Sequence, residues 1–264
     1  MPSFLQLNTT TTDVSPEVLG FVAGFPVTNT LVMSVFIVLV IALFGLVVQR
    51  FSLVPGPVQN ATEELYEKMR DFVEQITGDT QMAHNIFPLI GALFIYIGVA
   101  DLLPLVPGLT SITYAGDPLF RMPTTDINLT LGLAVAMVVL VQIRSMQDWG
   151  VFNYIGRFLR FKQLIRGFQN GIKSGLIALV HFFVGLLNII SEAAKAISLS
   201  FRLFGNMFAG EIIAVLLLSA VAYVVPALWL SMNILFGIVH ALVFGALTAA
   251  YYTLAMKQEE TKQE

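Results

Sequence analysis

LIALVHFFVGLLNIISEAAKAISLSFRLFGNMFAGEIIAVLLLSAVAYVV, residues 176–225, runs without a proline and is apolar at most positions. It is more than twice the ~20 residues that a perpendicular helical crossing of a bilayer needs. Four charged residues lie inside it: Glu192, Lys195, Arg202 and Glu211. An ionisable side chain at membrane depth costs at least about 2.5–3.5 kcal/mol on insertion scales, so several in one segment require a reason. With no proline to break it, the segment reads as one long helix.

The rest of the chain supports that setting. Of its 264 residues 56% are hydrophobic and 12% charged, about half the charged share of a soluble domain. A soluble globular protein and a disordered one are both excluded. Fourteen basic against seventeen acidic residues leave no positive excess for nucleic acid. The chain has no cysteine, which removes disulfides, thiolate metal sites and cysteine nucleophiles. It shows no Gly-rich phosphate loop, HExxH or GxSxG motif, so no cofactor and no metal is expected.

Four further apolar runs approach bilayer length: about 31–48, 86–103 (with Asp101 near its end), 127–143 and 227–256 (with His240 in its middle). Pro226 separates the last two segments. Met1–Asn29 lacks the basic start of a signal peptide, and the run after it is too long for one, so the first span is expected to persist. The basic residues outside the spans segregate. The segments before 31 and between 105 and 126 hold one, Arg121; the alternate segments and the tail hold eleven. By the positive-inside rule the N-terminus is outside and the C-terminus cytoplasmic. Lys195 and Arg202 are the two that this rule does not place.

Two regions do not span. From Ala61 to Thr77 the residues Leu65, Met69, Phe72, Val73 and Ile76 recur at helical spacing. Glu63, Glu64 and Glu67 suit a helix start, Asn60 or Thr62 a cap, and Gly78 an end. This is an amphipathic cytoplasmic helix, lying on the membrane surface or packed on the spans. Trp149–Lys173 mixes aromatic and basic residues and reads as an interfacial belt facing anionic headgroups.

On an ideal helix, at about 100° per residue, Lys195 lies about 20° from Arg202, and Asn188 and Asn206 each about 40° from it on the same side. These four make one polar stripe. Glu192 sits at its edge, one turn before Lys195, and is placed to pair with it. Glu211 lies about 180° from Arg202 and roughly 13 Å further along the axis, so the two face different surroundings. Arginine keeps its charge at any working pH, and a permanent cation in lipid implies an anion that must meet it. Glu211 is titratable and suits proton loading. Gly205, Ala209 and Gly210 allow another helix to approach closely. On the last helix Asn233 and His240 share a stripe, near Ser231, and His is a proton relay.

The run from Ser198 to Glu211 closely resembles the signature of subunit a of F-type ATP synthases. Asp101-Leu-Leu-Pro104 resembles that family's Asp-Leu-(Leu/Ile)-Pro stretch, and Pro123-Thr-Thr-Asp126-Ile-Asn128-Leu-Thr130 its Pro-(Ser/Thr)-x-Asp-(Ile/Val)-Asn-x-Thr motif. His240 to Phe244, with Thr248 and Tyr251, resembles its last helix. The first 30 residues carry no signature. The resemblance implies an all-α polytopic membrane protein of about five membrane helices, the fourth and fifth a long tilted hairpin. It implies a stator that forms two proton half-channels beside a rotating ring of c subunits, held by peripheral-stalk b subunits in a bacterial plasma membrane. Arg202 would keep the ring carboxylate ionised and block leakage between the half-channels. Glu211, His240, Asn206, Asn233, Glu192 and Asp126 are the candidate path residues. Gly205, Ala209 and Lys195 are the candidate ring-facing positions. The carried ion, H⁺ or Na⁺, is left open.

The expected organisation is a single membrane domain. Its segments are 1–30 outside, 31–50, the helix 57–80, 86–104, the outer loop 105–126, 127–144, the cytoplasmic segment 145–175, 176–225, 227–256 and the cytoplasmic tail 257–264. Three positions depart from the family pattern. Ala196 follows Lys195 where many members have Pro, Asn188 stands where many have an acid, and His240 where Gln is usual. Glu192 is the candidate in place of the missing acid. The competing readings are a secondary transporter with an anion bound at Arg202, and an intramembrane hydrolase. The first lacks half-to-half symmetry and the second a nucleophile–base pair.

Overall fold

A computed structural model describes residues 15–48, 56–106, 108–109, 112–114, 116–150, 169, 172–220 and 224–260. The expected belt at Trp149–Lys173 lies largely outside these residues. The protein is an all-α polytopic membrane protein. Five of its helices are long and apolar enough to cross a bilayer, through Asn29–Val48, Thr80–Leu105, Ile127–Gln147, Ser174–Ile213 and Leu230–Met256.

The chain opens with an antiparallel hairpin, β1 (Val18–Val22) and β2 (Phe25–Thr28), followed by α1 (Asn29–Val48) and α2 (Pro57–Thr77). Helix α3 (Thr80–Leu102) continues into a 3₁₀ turn at Leu103–Leu105. A short hairpin, β3 (Thr113–Tyr114) and β4 (Asp117–Pro118), and a 3₁₀ turn at Pro123–Thr125 lead to α4 (Ile127–Trp149). The long helices α5 (Ile172–Ala220) and α6 (Val224–Glu260) complete the order.

Local chemistry sets the boundaries. Pro57 starts α2, since the first helical N–H needs no partner, and Gly78 ends it at φ 71°, donating its N–H to Glu74. The cap expected at Asn60 or Thr62 is therefore not used, and Glu63, Glu64 and Glu67 fall beyond the first turn. Asp79 starts α3 ahead of the apolar run, because its carboxylate accepts the N–H groups of Gln81 and Met82 at 2.7 and 2.9 Å. Asp126 caps α4 by accepting from Asn128 N–H at 2.9 Å, and its other oxygen accepts from Thr30 Oγ1 at 2.8 Å.

The core lies where α3, α4, α5 and α6 meet, around Ile86, Ile90, Met137, Leu199, Leu203 and Tyr252. Helix α3 packs chiefly on α6, and α4 on α5. The apolar face of α2, Met69, Val73 and Ile76, packs on α3 and α6, which leaves its charged face outward. Through this face α2 packs on the spans, while Leu65 of the same stripe stays exposed. The apolar part of α5, 40 residues, is about 60 Å long against a hydrocarbon core of ~30 Å. It fits that core only when strongly inclined.

Asp126→Ala removes a cap and takes the carboxylate acceptor from the buried Thr30 hydroxyl, leaving it the Thr28 hydroxyl at 3.0 Å. It is expected to lower stability by about 1–3 kcal/mol, read as a lower Tm of the extracted protein.

Candidate functional site

Helix α5 has two unlike faces where the signature lies. Leu199, Ser200, Leu203 and Met207 are buried against the bundle, whereas Phe201, Arg202, Gly205, Asn206 and Ala209 are exposed. Among the described residues Arg202 makes no hydrogen bond or ion pair. No atom lies within 4 Å of a Cβ placed on Gly205. A guanidinium thus stands on an open face beside small residues that let another helix come close.

One turn beyond Arg202, a polar file crosses the bundle. Asn206 Nδ2 lies 2.8 Å from His240 Nε2 on α6. His240 Nδ1 faces Asp101 Oδ2 of α3 at 3.7 Å, and neither atom has a hydrogen-bond partner among the described residues. Thr124 Oγ1, from the 3₁₀ turn at Pro123–Thr125, donates to Asp101 Oδ1 at 2.7 Å. His240 and Asp101 are both buried. Gly237, one turn before His240, permits this approach. A Cβ there would come within 3.1 Å of Asp101 Cβ and 3.3 Å of Leu102 Cδ2. The acid of the Asp-Leu-Leu-Pro stretch therefore belongs to the site. Sequence reasoning gave it no role, although a carboxylate inside an apolar span is a functional signal by itself.

The second acid has a separate setting. Arg121 grips Glu211 with two nitrogens, Nε at 3.3 Å from Oε1 and a terminal nitrogen at 3.4 Å from Oε2. Its other terminal nitrogen donates to Ser15 O at 3.2 Å. Arg121, the lone basic residue between 105 and 126, is thus the partner of the candidate Glu211. Asn233 lies beside Gly210, its Oδ1 3.4 Å from where a Cβ would stand. Asp126 joins neither group, being held as the cap of α4 by Asn128 and Thr30.

On the other side of Arg202, Lys195 Nζ donates to Glu192 Oε1 at 2.8 Å, the pair expected from spacing, and lies 5.0 Å over the ring of Tyr251. The contacts 206–240 and 195–251 keep one antiparallel register between α5 and α6. Thr130 and Ser200 hydroxyls, 3.3 Å apart, set the register of α4 on α5. Gln142 Oε1 and Ser145 Oγ are buried without a hydrogen-bond partner among the described residues.

Comparison with protein families matches residues 30–253 to the ATP synthase A chain. The chain belongs to this family, subunit a of the F-type ATP synthases. Its subunit a relatives include one from Desulforamulus reducens, 32% identical over 206 residues, which covers 75% of this chain and 66% of that protein. One from Moorella thermoacetica is 28% identical over 242 residues, 91% of this chain and 96% of the relative. A third, from Propionigenium modestum and described as sodium ion specific, is 30% identical over 241 residues, 89% of this chain and 76% of the relative.

Proposed function

We propose that this chain is the stator of an Fo motor. In this reading it forms two ion half-channels that meet at Arg202, beside a ring of c subunits. The observation that carries it is the position of Arg202: unpaired among the described residues, on an open small-residue face, one turn from the end of a buried polar file. A fixed cation favours the ionised form of a carboxylate brought beside it. A guanidinium does not give up its proton, so it cannot hand one across. One group thereby unloads the passing ring carboxylate and separates the paths.

The outer path runs through Thr124, Asp101, His240 and Asn206 to the level of Arg202, with the N-terminus outside. Asp101 and the imidazole can exchange protons, and Asn206 orients the ring. Glu211, held by Arg121, and Asn233 flank this path. The inner path runs by Glu192, Lys195, Gln142 and Ser145 towards the cytoplasm, because buried polar atoms without partners are best satisfied by water. Gly205, Ala209 and Lys195 lie towards the ring, and peripheral-stalk b subunits hold the stator against it. The ion carried in this reading is a proton, since the outer file sets two groups capable of proton exchange, Asp101 and His240, face to face at 3.7 Å. Asp126 serves the fold rather than the path.

Purification tests the assignment: this subunit should come out with a c-ring and a peripheral stalk. A transporter with an anion at Arg202 would come alone. Glu211→Gln leaves Arg121 facing a neutral amide and is expected to slow ATP-driven proton flux sharply. Unchanged flux in reconstituted vesicles would remove Glu211 from the path.

A further inference from the structure

The N-terminal hairpin takes no part in the ion path, and its surface is unlike the rest of the outer face. From Val18 to Val27 it carries no polar or charged side chain. Every residue from Phe21 to Pro26 is exposed, with Phe21 at 74%, Val22 at 66% and Phe25 at 76%. The register pairs Phe21 with Pro26 and Val22 with Phe25. Successive strand residues point to opposite faces, so both faces of the tip are apolar and open. In the described structure β1 and β2 pair only with each other, so each also has a free edge. A ten-residue uncharged hairpin of this kind standing in water would invite aggregation.

The base of the hairpin is fixed beside a membrane span. Helix α1 begins at Asn29, directly after β2. Asn29 donates its backbone N–H to Glu17 O at 3.1 Å and its amide to Glu17 Oε2 at 3.2 Å and Pro118 O at 3.4 Å. Four strand residues at ~3.3 Å each hold the tip within about 13 Å of the end of the span. Ala23 and Gly24 have φ of 52° and 85°, the left-handed pair of a tight two-residue turn. The tip is therefore short and stiff. Beyond Thr28–Thr30 the exposed apolar residues Leu31, Val35 and Val38 of α1 follow in the chain.

We propose that the β1–β2 hairpin is an interfacial lipid anchor, with Phe21, Val22 and Phe25 seating its turn in the headgroup region of the leaflet where α1 begins. Nearness in the chain to the exposed apolar residues of α1 favours lipid. So does the two-sided exposure, because a protein partner would cover one face of so small a hairpin. The free strand edges limit depth. Their N–H and C=O groups find water among headgroups but none in the hydrocarbon core. The anchor would hold the hairpin base where Asn29 and Thr30 meet the outer loop at Pro118 and Asp126. It rests on α1 spanning the membrane and not on the assignment of the ion path.

The absence of cysteine allows a clean test. A nitroxide is attached to Phe25→Cys in the assembled complex, in vesicles of phosphatidylethanolamine and phosphatidylglycerol, with cysteines of the other subunits replaced. Collisions with oxygen, which concentrates in lipid, are compared with those of a water-soluble nickel chelate. Leu39→Cys on α1 and Glu63→Cys on α2 give the lipid and water references. The expected oxygen-to-nickel ratio at Phe25 is several-fold above that at Glu63, and Phe21→Cys on the opposite face behaves likewise. A ratio equal to that at Glu63 overturns the proposal in favour of a hairpin standing in water. Suppression of both collisions at either face overturns it in favour of a protein occupant. Intact ATP-driven pumping by the labelled complexes shows that they are assembled.

Discussion

Arg202→Ala is expected to abolish ATP-driven proton pumping in inverted vesicles while leaving the subunit inserted and assembled. The side chain is exposed and makes no hydrogen bond or ion pair among the described residues, so its removal breaks no packing. In the proposed motor the loss falls on the ring carboxylate, which then meets no cation to favour its ionised form. Arg202→Lys should restore little. An ammonium group is a point charge that sheds its proton when desolvated, whereas the guanidinium stays charged. Coupled pumping at the native rate by Arg202→Ala would remove the barrier role from this residue.

The second large effect is expected at the buried file. Asp101→Asn removes the proton-accepting oxygen between Thr124 and His240 yet keeps the size of the side chain. His240→Ala opens a gap between Asn206 and Asp101. Each should cut proton flux by roughly 10²-fold or more, the scale on which a positioned acid or base contributes to proton transfer. Thr124→Val, which removes one hydrogen bond to Asp101 and no titratable group, should cost far less. Rates of vesicle acidification at fixed ATP hydrolysis separate the three. Native flux through Asp101→Asn would leave the file as packing alone.

Much of this architecture is written in the chain because lipid imposes simple rules. Five spans follow from run length, whereas the α5–α6 hairpin is what the family resemblance implies, and Pro226 falls in the first turn of α6. The Glu192–Lys195 pair follows from helix spacing, and the opposed settings of Arg202 and Glu211 from nine residues of rotation. The limits are equally physical. Arg121 and Glu211 lie ninety residues apart, and no local pattern joins a loop arginine to one acid among several. Asp101 and His240 meet only because Gly237 lets α6 close on α3, a glycine with no distinguishing neighbours in sequence. The bounds 57–80 include the start of α2 at Pro57, but the caps named for it, Asn60 and Thr62, lie inside the helix, because acids in mid-helix imitate a helix start. The hairpin at Val18–Thr28 was hidden by its uniform apolarity, which lacks the alternation that marks a strand with one wet face.

The central claim is that two aqueous paths approach Arg202 from opposite sides of the membrane. The most direct test uses single cysteines at Asn206 and Glu192, Asn206→Cys and Glu192→Cys, in the otherwise cysteine-free chain. A membrane-impermeant thiol reagent is applied to sealed vesicles from one side at a time. The account predicts modification of the Asn206 site only from the outer side and of the Glu192 site only from the cytoplasmic side. Modification of both from the same side, or of either from both sides, would contradict it.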